Sequence, residues 1–328
     1  MTSTRRMPAE WEPQTALWLS WPVSMHIWPQ KHEAIAEKFA EITAAASRFQ
    51  RVNINAEEDA HVGIRNQLRH AKAVWENIWL YDHPTNDVWC RDHGPIYIKE
   101  DGQVRVTNWN FNAWGGKFEP WDLDNATPPR IAEALGQPCD SYDVILEGGG
   151  IEVNGAGVML TTTPVLLNPN RNPGLSMADY ESIFADALGI KEIVWLPTEL
   201  PNDDTDGHID NLARFFAEDA VLCVSSQRTP ALKDNHEILK ARFGQVVELP
   251  LPDPIFNTKG EELPASYANY VVINGAVLTP VFGQKTTDQW AIGTLKDCFP
   301  DRKIVPIDCR LLLEEGGALH CISANEPA

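Results

Sequence analysis

The sequence has 328 residues, of which 43% are hydrophobic and 22% are charged, values typical of a globular protein. It carries 27 Lys and Arg against 46 Asp and Glu, a formal net charge of −19, which argues against nucleic acid as a partner because phosphate contacts need clustered basic residues. No stretch approaches the roughly 18 apolar residues of a membrane span, and the six cysteines form no C-x-x-C pair. We therefore expect a cytoplasmic protein without a metal site that contacts neither membrane nor nucleic acid.

The predicted elements repeat one unit along the chain. Strand–turn–strand segments begin at Pro95, Ile151, Ala213 and Tyr270, two of them with Asn-Gly as the turn signal. Helices are predicted over 31–49, 176–188, 229–243 and 286–298, and the second has a capping-box-like start at Ser176. Short apolar strands that end near proline are predicted at 78–81, 193–197, 246–250 and 304–307.

The repeated unit is strand, strand, helix, strand, and its starts at 151, 213 and 270 lie 62 and 57 residues apart. At this period the 328 residues hold about five units. We predict an α/β fold in which ββαβ units close around an axis as a pseudo-symmetric five-bladed propeller, with residues 1–328 as a single domain. An open mixed sheet is the alternative, but it does not explain the repetition. Segment 145–153 overlays on 313–321, which places Cys321 in a buried strand at the position of Val153.

Polar segments recur where a strand enters the predicted centre of the ring. They contribute carboxylates, an imidazole and a thiol, carried by Asp92, Glu147, His208, Asp210 and Cys321. Side chains two residues apart in an extended segment share a face, so His208 and Asp210 are expected to point together. By the same rule His320 points away from Cys321, and we interpret it as a hydrogen-bonded histidine behind the strand.

A histidine beside a thiol forms an activated nucleophile, but neighbouring carboxylates oppose it, because anions raise the pKa of a thiol. Taken singly, each residue has an ordinary structural explanation, Cys321 as a small hydrophobic side chain and Asp92 as an ion pair with Arg91. Their recurrence at equivalent points of the repeat favours a site for a cation. A guanidinium fits best, because it is planar and donates several N–H bonds to paired carboxylates.

With these motifs the sequence resembles the agmatine deiminase family, which is grouped with bacterial peptidyl-arginine deiminases among the guanidino-group-modifying enzymes. The matching motifs follow one another along the whole chain: M-P-A-E-W-E-P from Met7, W-L-S-W-P from Trp18, W-C-R-D-H-G-P from Trp89, F-N-A-W-G-G-K from Phe111, L-E-G-G from Leu146, T-D-G-H-I-D-N from Thr205 and G-G-A-L-H-C-I-S from Gly316. Two departures, Ala318 and Asp206 where relatives often carry Asn, bear on the substrate more than on the reaction type.

The resemblance implies a five-bladed α/β propeller and a role for each matching polar residue. Cys321 would be the nucleophile, and His208 would act as acid and base. Asp92 and Asp210 would clamp the guanidinium with the help of Glu147. The implied reaction needs neither a metal nor an organic cofactor.

We therefore expect an enzyme that hydrolyses a cationic guanidino small molecule. In the favoured reaction, agmatine and water give N-carbamoylputrescine and ammonia through a covalent amidino-cysteine intermediate. The residues predicted to bind the substrate are Trp89, along its aliphatic chain, Trp114, Asp204 and Gly317. The free amine of agmatine is expected to meet Asp204 or its neighbour Asp203.

Two other functions stay open at this point. Deimination of free or C-terminal peptidyl arginine to citrulline would need a basic anchor for the substrate carboxylate, and Arg214 is the candidate. A non-catalytic five-unit propeller that serves as a binding module is the second alternative, although it has no reason to retain the cysteine, the histidine and both aspartates. The resemblance also implies a place in putrescine and polyamine synthesis, and a homo-oligomer is one of the assemblies that the sequence allows.

Overall fold

The computed structural model describes residues 5–24 and 27–328. Within these residues the strands form five small sheets, four with three strands and one with four. In chain order the strands are β1 Gln14–Ser20, β2 Arg51–Ala56, β3 Ile78–Asp82, β4 Ile96–Glu100, β5 Gln103–Asn110, β6 Cys139–Ile145, β7 Ile151–Val153, β8 Val158–Thr162, β9 Glu192–Leu196, β10 Ala213–Ala217, β11 Ala220–Ser225, β12 Gln245–Pro250, β13 Val271–Ile273, β14 Ala276–Val281, β15 Lys303–Asp308 and β16 Ser323–Pro327.

All five sheets share one topology. Their strand orders are β16-β1-β2-β3, β4-β5-β6, β7-β8-β9, β10-β11-β12 and β13-β14-β15. In each sheet the first two strands are antiparallel and the second and third are parallel. A parallel pair needs a crossover connection, and a helix supplies it each time in the described chain. The predicted five-bladed α/β propeller built from ββαβ units is confirmed.

Five crossover helices connect the parallel strands, and the sequence predicts all of them except Thr127–Leu135. They are His32–Ala46, Thr127–Leu135, Met177–Leu188, Leu232–Arg242 and Lys285–Cys298, and His61–His70 links β2 to β3. Shorter helical turns are Glu58–Ala60, Trp75–Asn77, Cys90–His93, Ala113–Gly116, Asp122–Asn125, Gly148–Gly150, Thr163–Leu166, Ile209–Asn211 and Arg310–Leu313. None of the helices in the described parts of the chain is long and apolar enough to cross a membrane.

The third crossover helix shows how local sequence sets an element's limits. It begins with the predicted capping box, in which the Ser176 side chain accepts from the backbone N–H of Asp179 and the Asp179 side chain accepts from that of Ser176. It ends at Gly189, whose φ of 71° is the left-handed conformation that terminates many helices. Between these ends the helix buries Tyr180 and Phe184 against the sheets.

The two ends of the described chain meet in one sheet. β16 pairs antiparallel with β1, with Trp18 opposite Ala324 and Leu19 opposite Ser323. The predicted strand at Cys321 is therefore wrong: β16 begins two residues later, and Cys321 lies in the turn before it, whereas Val153 lies inside β7. The hydrogen bonds of the Cys321 backbone explain the difference, because its N–H and C=O pair with Asn269 and Arg91 in other turns, and not with a neighbouring strand.

A short turn precedes the first strand of every sheet in the described structure. Four of these turns are Cys90–His93 before β4, Gly148–Gly150 before β7, Ile209–Asn211 before β10 and 319–322 before β16. The fifth, around 266–269, precedes β13. Because the sheets repeat one topology, these turns occupy equivalent places in the ring. This arrangement brings chemistry from distant parts of the chain together.

Candidate active site

The five turns assemble the thiol, the imidazole and the carboxylates that the sequence singles out. The Cys321 Sγ lies 3.7 Å from Asp210 Oδ2. His208 Nδ1 lies 3.6 Å from Asp92 Oδ1, and His208 Nε2 lies 3.6 Å from Glu147 Oε2. All five side chains are buried. The predicted convergence of these residues on one site is therefore observed in the structure.

Asp92 is held by two donors that fix both of its oxygens. The Gly149 N–H donates to Oδ1 at 3.0 Å, and the Trp114 indole N–H donates to Oδ2 at 3.1 Å. Ala113 and Trp114 have φ of 50° and 56°, a left-handed conformation that costs energy in non-glycine residues. The loop thus stores strain while it aims the indole at the carboxylate. Burial raises the pKa of Asp92 to about 6, and the negative charge of the nearby Asp210 adds to this effect.

His208 is fully buried between carboxylates, and neither ring nitrogen has a hydrogen-bond partner. Burial alone disfavours its charged form, but Asp92 and Glu147 outweigh burial and raise the pKa of His208 to about 9. Gly149 makes this close packing feasible, since a Cβ there would lie 2.5 Å from His208 Nδ1 and 2.7 Å from Asp92 Oδ1. The histidine is therefore a cation with an N–H free to protonate a leaving group.

Arg171, which the sequence analysis did not identify, supports Glu147. Its Nε lies 2.6 Å from Glu147 Oε1, and its Nη1 lies 2.6 Å from Asp206 Oδ2. Asp206 in turn accepts from Lys117 Nζ at 2.7 Å, near the protein surface. Although burial by itself raises the pKa of Glu147, His208 and Arg171 together hold it below its usual value. A lone arginine in an Asn- and Pro-containing loop carries no sequence signal for this role.

Asn269 is a second residue that the sequence analysis missed, and it holds Cys321. Its Nδ2 donates to Cys321 Sγ at 3.0 Å and to Asn211 Oδ1 at 3.0 Å. Its Oδ1 accepts from the backbone N–H groups of His320 and Cys321, so the orientation of the amide is fully determined. Asn269 stands in the turn before β13, and the repeat had marked that place in the other units. Burial raises the pKa of the Cys321 thiol well above its ordinary range, and Asp210 and Asp92 add to this effect.

Asp210 has one oxygen occupied and one free. Its Oδ2 lies 2.8 Å from His320 Nδ1, while its Oδ1 is buried without a hydrogen-bond partner. A buried carboxylate oxygen without a partner is costly, because its hydration is lost and not replaced. This oxygen marks a place where a ligand with N–H donors would complete the site. The interpretation of His320 as hydrogen-bonded is confirmed, although the residue lies in a turn and its Nδ1 and the Cys321 Sγ approach the same Asp210 oxygen.

A cavity of about 350 Å³ opens in front of Cys321 and Asp92. All four residues predicted to bind the substrate line it, namely Trp89, Trp114, Asp204 and Gly317. Gly317 lets Trp89 approach, since a Cβ at this position would lie 2.2 Å from the Trp89 ring. Asp203 is not among the lining residues, because its carboxylate accepts from the N–H and hydroxyl of Thr205.

Arg214 does not face the cavity. Its guanidinium is buried and contacts Glu152 and Glu10, each at 2.9 Å, and it also donates to the carbonyls of Ala268 and Tyr270. Four of its five N–H groups are therefore used inside the protein, and Arg214, the candidate anchor for a substrate carboxylate, does not line the cavity. Within residues 5–24 and 27–328, no group of three or more His, Cys, Asp or Glu side chains is arranged to hold a metal ion.

Known proteins match this chain over nearly its whole length, in sequence and in structure. A family model described as Porphyromonas-type peptidyl-arginine deiminase matches residues 6–327. The chain is 34% identical to the agmatine deiminase of Pseudomonas aeruginosa, over 98% of this chain and 95% of that protein. Among solved structures, a cysteine-to-serine variant of C. jejuni agmatine deiminase with substrate bound has a TM-score of 0.91 at 32% identity and covers 99% of this chain and 97% of its own. The agmatine deiminase of Enterococcus faecalis has a TM-score of 0.90 at 31% identity, with 98% and 96% covered.

Proposed function

Because the chain belongs to the Porphyromonas-type peptidyl-arginine deiminase family, we propose that it hydrolyses agmatine to N-carbamoylputrescine and ammonia. Relatives that carry the name agmatine deiminase match it over nearly their full length. On this proposal residues 1–328 work as one catalytic domain, since the five turns that build the site come from all five sheets.

The charge of the cavity wall is the observation that carries the choice of substrate. Among the described residues, six acidic side chains and a single ammonium line the cavity: Asp87, Asp92, Glu119, Asp124, Asp204, Glu315 and Lys117. Burial raises the pKa of Asp87 to about 7 and that of Asp124 well above its usual range, so the other four carry most of the negative charge. The Lys117 ammonium is bound to Asp206 and to the carbonyl of Asp204. Agmatine is a dication without a carboxylate, so every charge that it brings meets an opposite one. Arginine would place its carboxylate against an acidic wall, with Arg214 already occupied.

In the first half of the reaction the guanidinium enters between Asp92 and the free Oδ1 of Asp210. Its positive charge favours the Cys321 thiolate, because a nearby cation lowers the pKa of a thiol, and the thiol proton passes to solvent. The thiolate attacks the guanidinium carbon and forms a C–S bond. His208 donates its proton to one terminal nitrogen, the C–N bond breaks, and ammonia leaves the amidino-cysteine cation.

In the second half His208, now neutral, takes a proton from water. The resulting hydroxide attacks the amidino carbon, the C–S bond breaks with its electrons on sulfur, and the ureido product loses the remaining proton. The net change is agmatine and water to N-carbamoylputrescine and ammonium. The clamp contributes by positioning and by charge complementarity that exists before the reaction begins. We assign Trp89, Trp114 and Gly317 to the aliphatic chain and Asp204 to the distal amine.

The test is ammonia release from agmatine, free arginine and a peptide with C-terminal arginine, measured in parallel. We expect turnover of agmatine, and loss of turnover when Cys321 is replaced by alanine. Preferred turnover of arginine or of the peptide would overturn the assignment of the substrate. Substantial ammonia release by the Cys321→Ala variant would overturn the covalent mechanism, and binding without turnover of any of the three would favour a binding module.

A further inference from the structure

His320 lies between two carboxylates that come from distant parts of the chain. It is 1% exposed, and its Nδ1 is 2.8 Å from Asp210 Oδ2 while its Nε2 is 2.8 Å from Glu10 Oε2. A neutral imidazole has one N–H donor and one lone pair, so it would turn a lone pair toward one of these carboxylates. An imidazolium donates to both. The geometry therefore indicates a doubly protonated His320.

Glu10 is well placed to keep that charge on His320. Burial by itself raises the pKa of Glu10, but Arg214 and His320 outweigh burial and pull it well below its usual value. The Arg214 Nη2 lies 2.9 Å from the same oxygen that meets His320, and the Arg91 Nη2 lies 3.5 Å away. Glu10 belongs to the M-P-A-E-W-E-P motif, which contributes no residue to the cavity wall.

The contact with His320 decides which oxygen of Asp210 is available. With Oδ2 engaged by His320, Oδ1 is the oxygen left buried without a partner. A carboxylate held through one oxygen by a charged donor has its rotamer fixed, and such bonds are shorter and stronger than neutral ones. Asp210 Oδ2 is also 3.7 Å from Cys321 Sγ, so its rotamer sets the distance between a clamped guanidinium and the thiol.

We propose that His320 is a positioning residue, an imidazolium anchored by Glu10 that fixes Asp210 and thereby aligns the guanidinium of the substrate on Cys321. This inference rests on the guanidinium chemistry of the proposed function. It differs from a purely structural role, in which His320 would only tie the segment around Glu10 to the turn before β16.

Two amide substitutions separate the two contacts of His320. In His320→Asn the side-chain N–H₂ takes the place of Nδ1 and keeps a donor toward Asp210, whereas in His320→Gln it reaches the place of Nε2 and keeps the donor toward Glu10. Both variants are made in the Cys321→Ala background, and agmatine binding is measured by calorimetry without turnover. We expect His320→Gln to bind roughly 100-fold more weakly, the effect of losing one charge-assisted hydrogen bond, and His320→Asn, which keeps a neutral donor toward Asp210, to bind only roughly 10-fold more weakly.

The same pair in the Cys321 enzyme provides the kinetic readout. We expect His320→Gln to raise KM and lower kcat, because a misaligned clamp weakens binding and displaces the guanidinium carbon. We expect both defects to be smaller in His320→Asn, which keeps a donor toward Asp210. Equal defects in the two variants, or defects that follow only the loss of thermal stability, would overturn the proposal in favour of a structural tie.

A second pair of variants, at Glu10 and Glu152, tests the role of His320 if the His320 variants do not fold. Glu10→Gln and Glu152→Gln each remove one negative charge from Arg214, but of the two only Glu10 contacts His320. We expect Glu10→Gln to weaken agmatine binding roughly 10-fold, since a charge-assisted bond to Asp210 becomes a neutral one, and Glu152→Gln to change it little. Equal effects of the two would contradict the role of His320.

The proposed function and this inference fail in different ways. If the wild-type enzyme turns over arginine in place of agmatine, the substrate assignment falls, and the binding series is run with arginine because Asp210 clamps the same guanidinium. If the Cys321→Ala protein binds none of the three guanidino compounds, both fall together.

Discussion

Replacing Arg171 with methionine removes a buried guanidinium on which the electrostatic balance of the site depends. The side chain is 1% exposed and contacts Glu147 and Asp206, each at 2.6 Å. It also donates to Asn170 Oδ1 and to the carbonyl of Thr205. Methionine fills much of the same volume, so the expected loss of stability is electrostatic and does not come from a cavity.

The magnitude follows from what is left uncompensated. Glu147 is also 1% exposed and would lose the guanidinium bonded to Oε1, while His208 remains 3.6 Å from Oε2. Breaking a buried ion pair typically costs about 3–5 kcal/mol, and because His208 remains we expect the lower end of this range. Asp206 is 21% exposed and retains Lys117, so its share is small. Against a total stability on the order of 5–15 kcal/mol, the loss is large but leaves a folded protein to measure.

The assay is urea unfolding, in which the midpoint reports stability as long as the slope is unchanged. Lys117→Met is the matched control, because its ion pair with the same Asp206 is partly exposed and is expected to contribute less than about 1 kcal/mol. Glu147→Gln added to Arg171→Met should recover part of the loss, since the orphaned charge is gone.

The pKa of Glu147 lies below its ordinary 4.5 in the folded protein. The stability that Arg171 contributes is therefore fully present above that value, and it is lost as pH falls through the lowered folded pKa of Glu147. A loss under about 1 kcal/mol at neutral pH, or a double variant less stable than Arg171→Met alone, would refute this reasoning.

Three further outcomes are expected around the cavity. Asn269→Leu removes the donor to the Cys321 thiol, so alkylation of Cys321 by iodoacetamide at fixed pH should slow roughly 10-fold; an unchanged rate would show that the amide does not stabilise the thiolate. Gly317→Ala drives a methyl group into the Trp89 ring and should raise KM for agmatine more than it lowers kcat, measured by steady-state ammonia release, with unaltered KM as the contrary result. The profile of kcat/KM against pH should fall below about 6, where Asp92 becomes protonated and no longer clamps a cation, and above about 9, where His208 loses the proton that it donates. A profile that is flat through both values would contradict these assignments.

The repeat made the fold predictable from the sequence. Period, turn signals and helix starts locate the four strand–turn–strand hairpins and four of the five crossover helices. The fifth antiparallel pair, β16 with β1, is formed by strands from the two ends of the described chain. The prediction of a strand at Cys321 is wrong because two glycines followed by apolar residues occur before turns as well as before strands. What decides between them is the partner of the Cys321 backbone, and that partner is Asn269, 52 residues away.

The same limit applies to the site. Recurrence at one point of the unit indicates which side chains enter the centre, and it identified the thiol, the imidazole and the carboxylates together. It does not indicate which residues hold them, because Arg171 reaches Glu147 from the connection between β8 and β9, and Glu10 reaches His320 from the other end of the chain. Asn269 is the exception that the repeat itself could have revealed, since it stands in the fifth turn at the place where the other four carry polar residues.

The charges of the resting site explain how one cavity can both favour its substrate and release its product. Before substrate binds, His208 is protonated, while burial and carboxylates hold the Cys321 thiol neutral. A guanidinium supplies the missing cation and thereby generates the nucleophile that attacks it. On the proposed reaction, deimination then converts that cation into a neutral ureido group, which no longer offsets Asp92 and Asp210. The attraction of the clamp and the stabilisation of the thiolate therefore vanish in the same step, so a neutral urea is held weakly and meets an unreactive thiol.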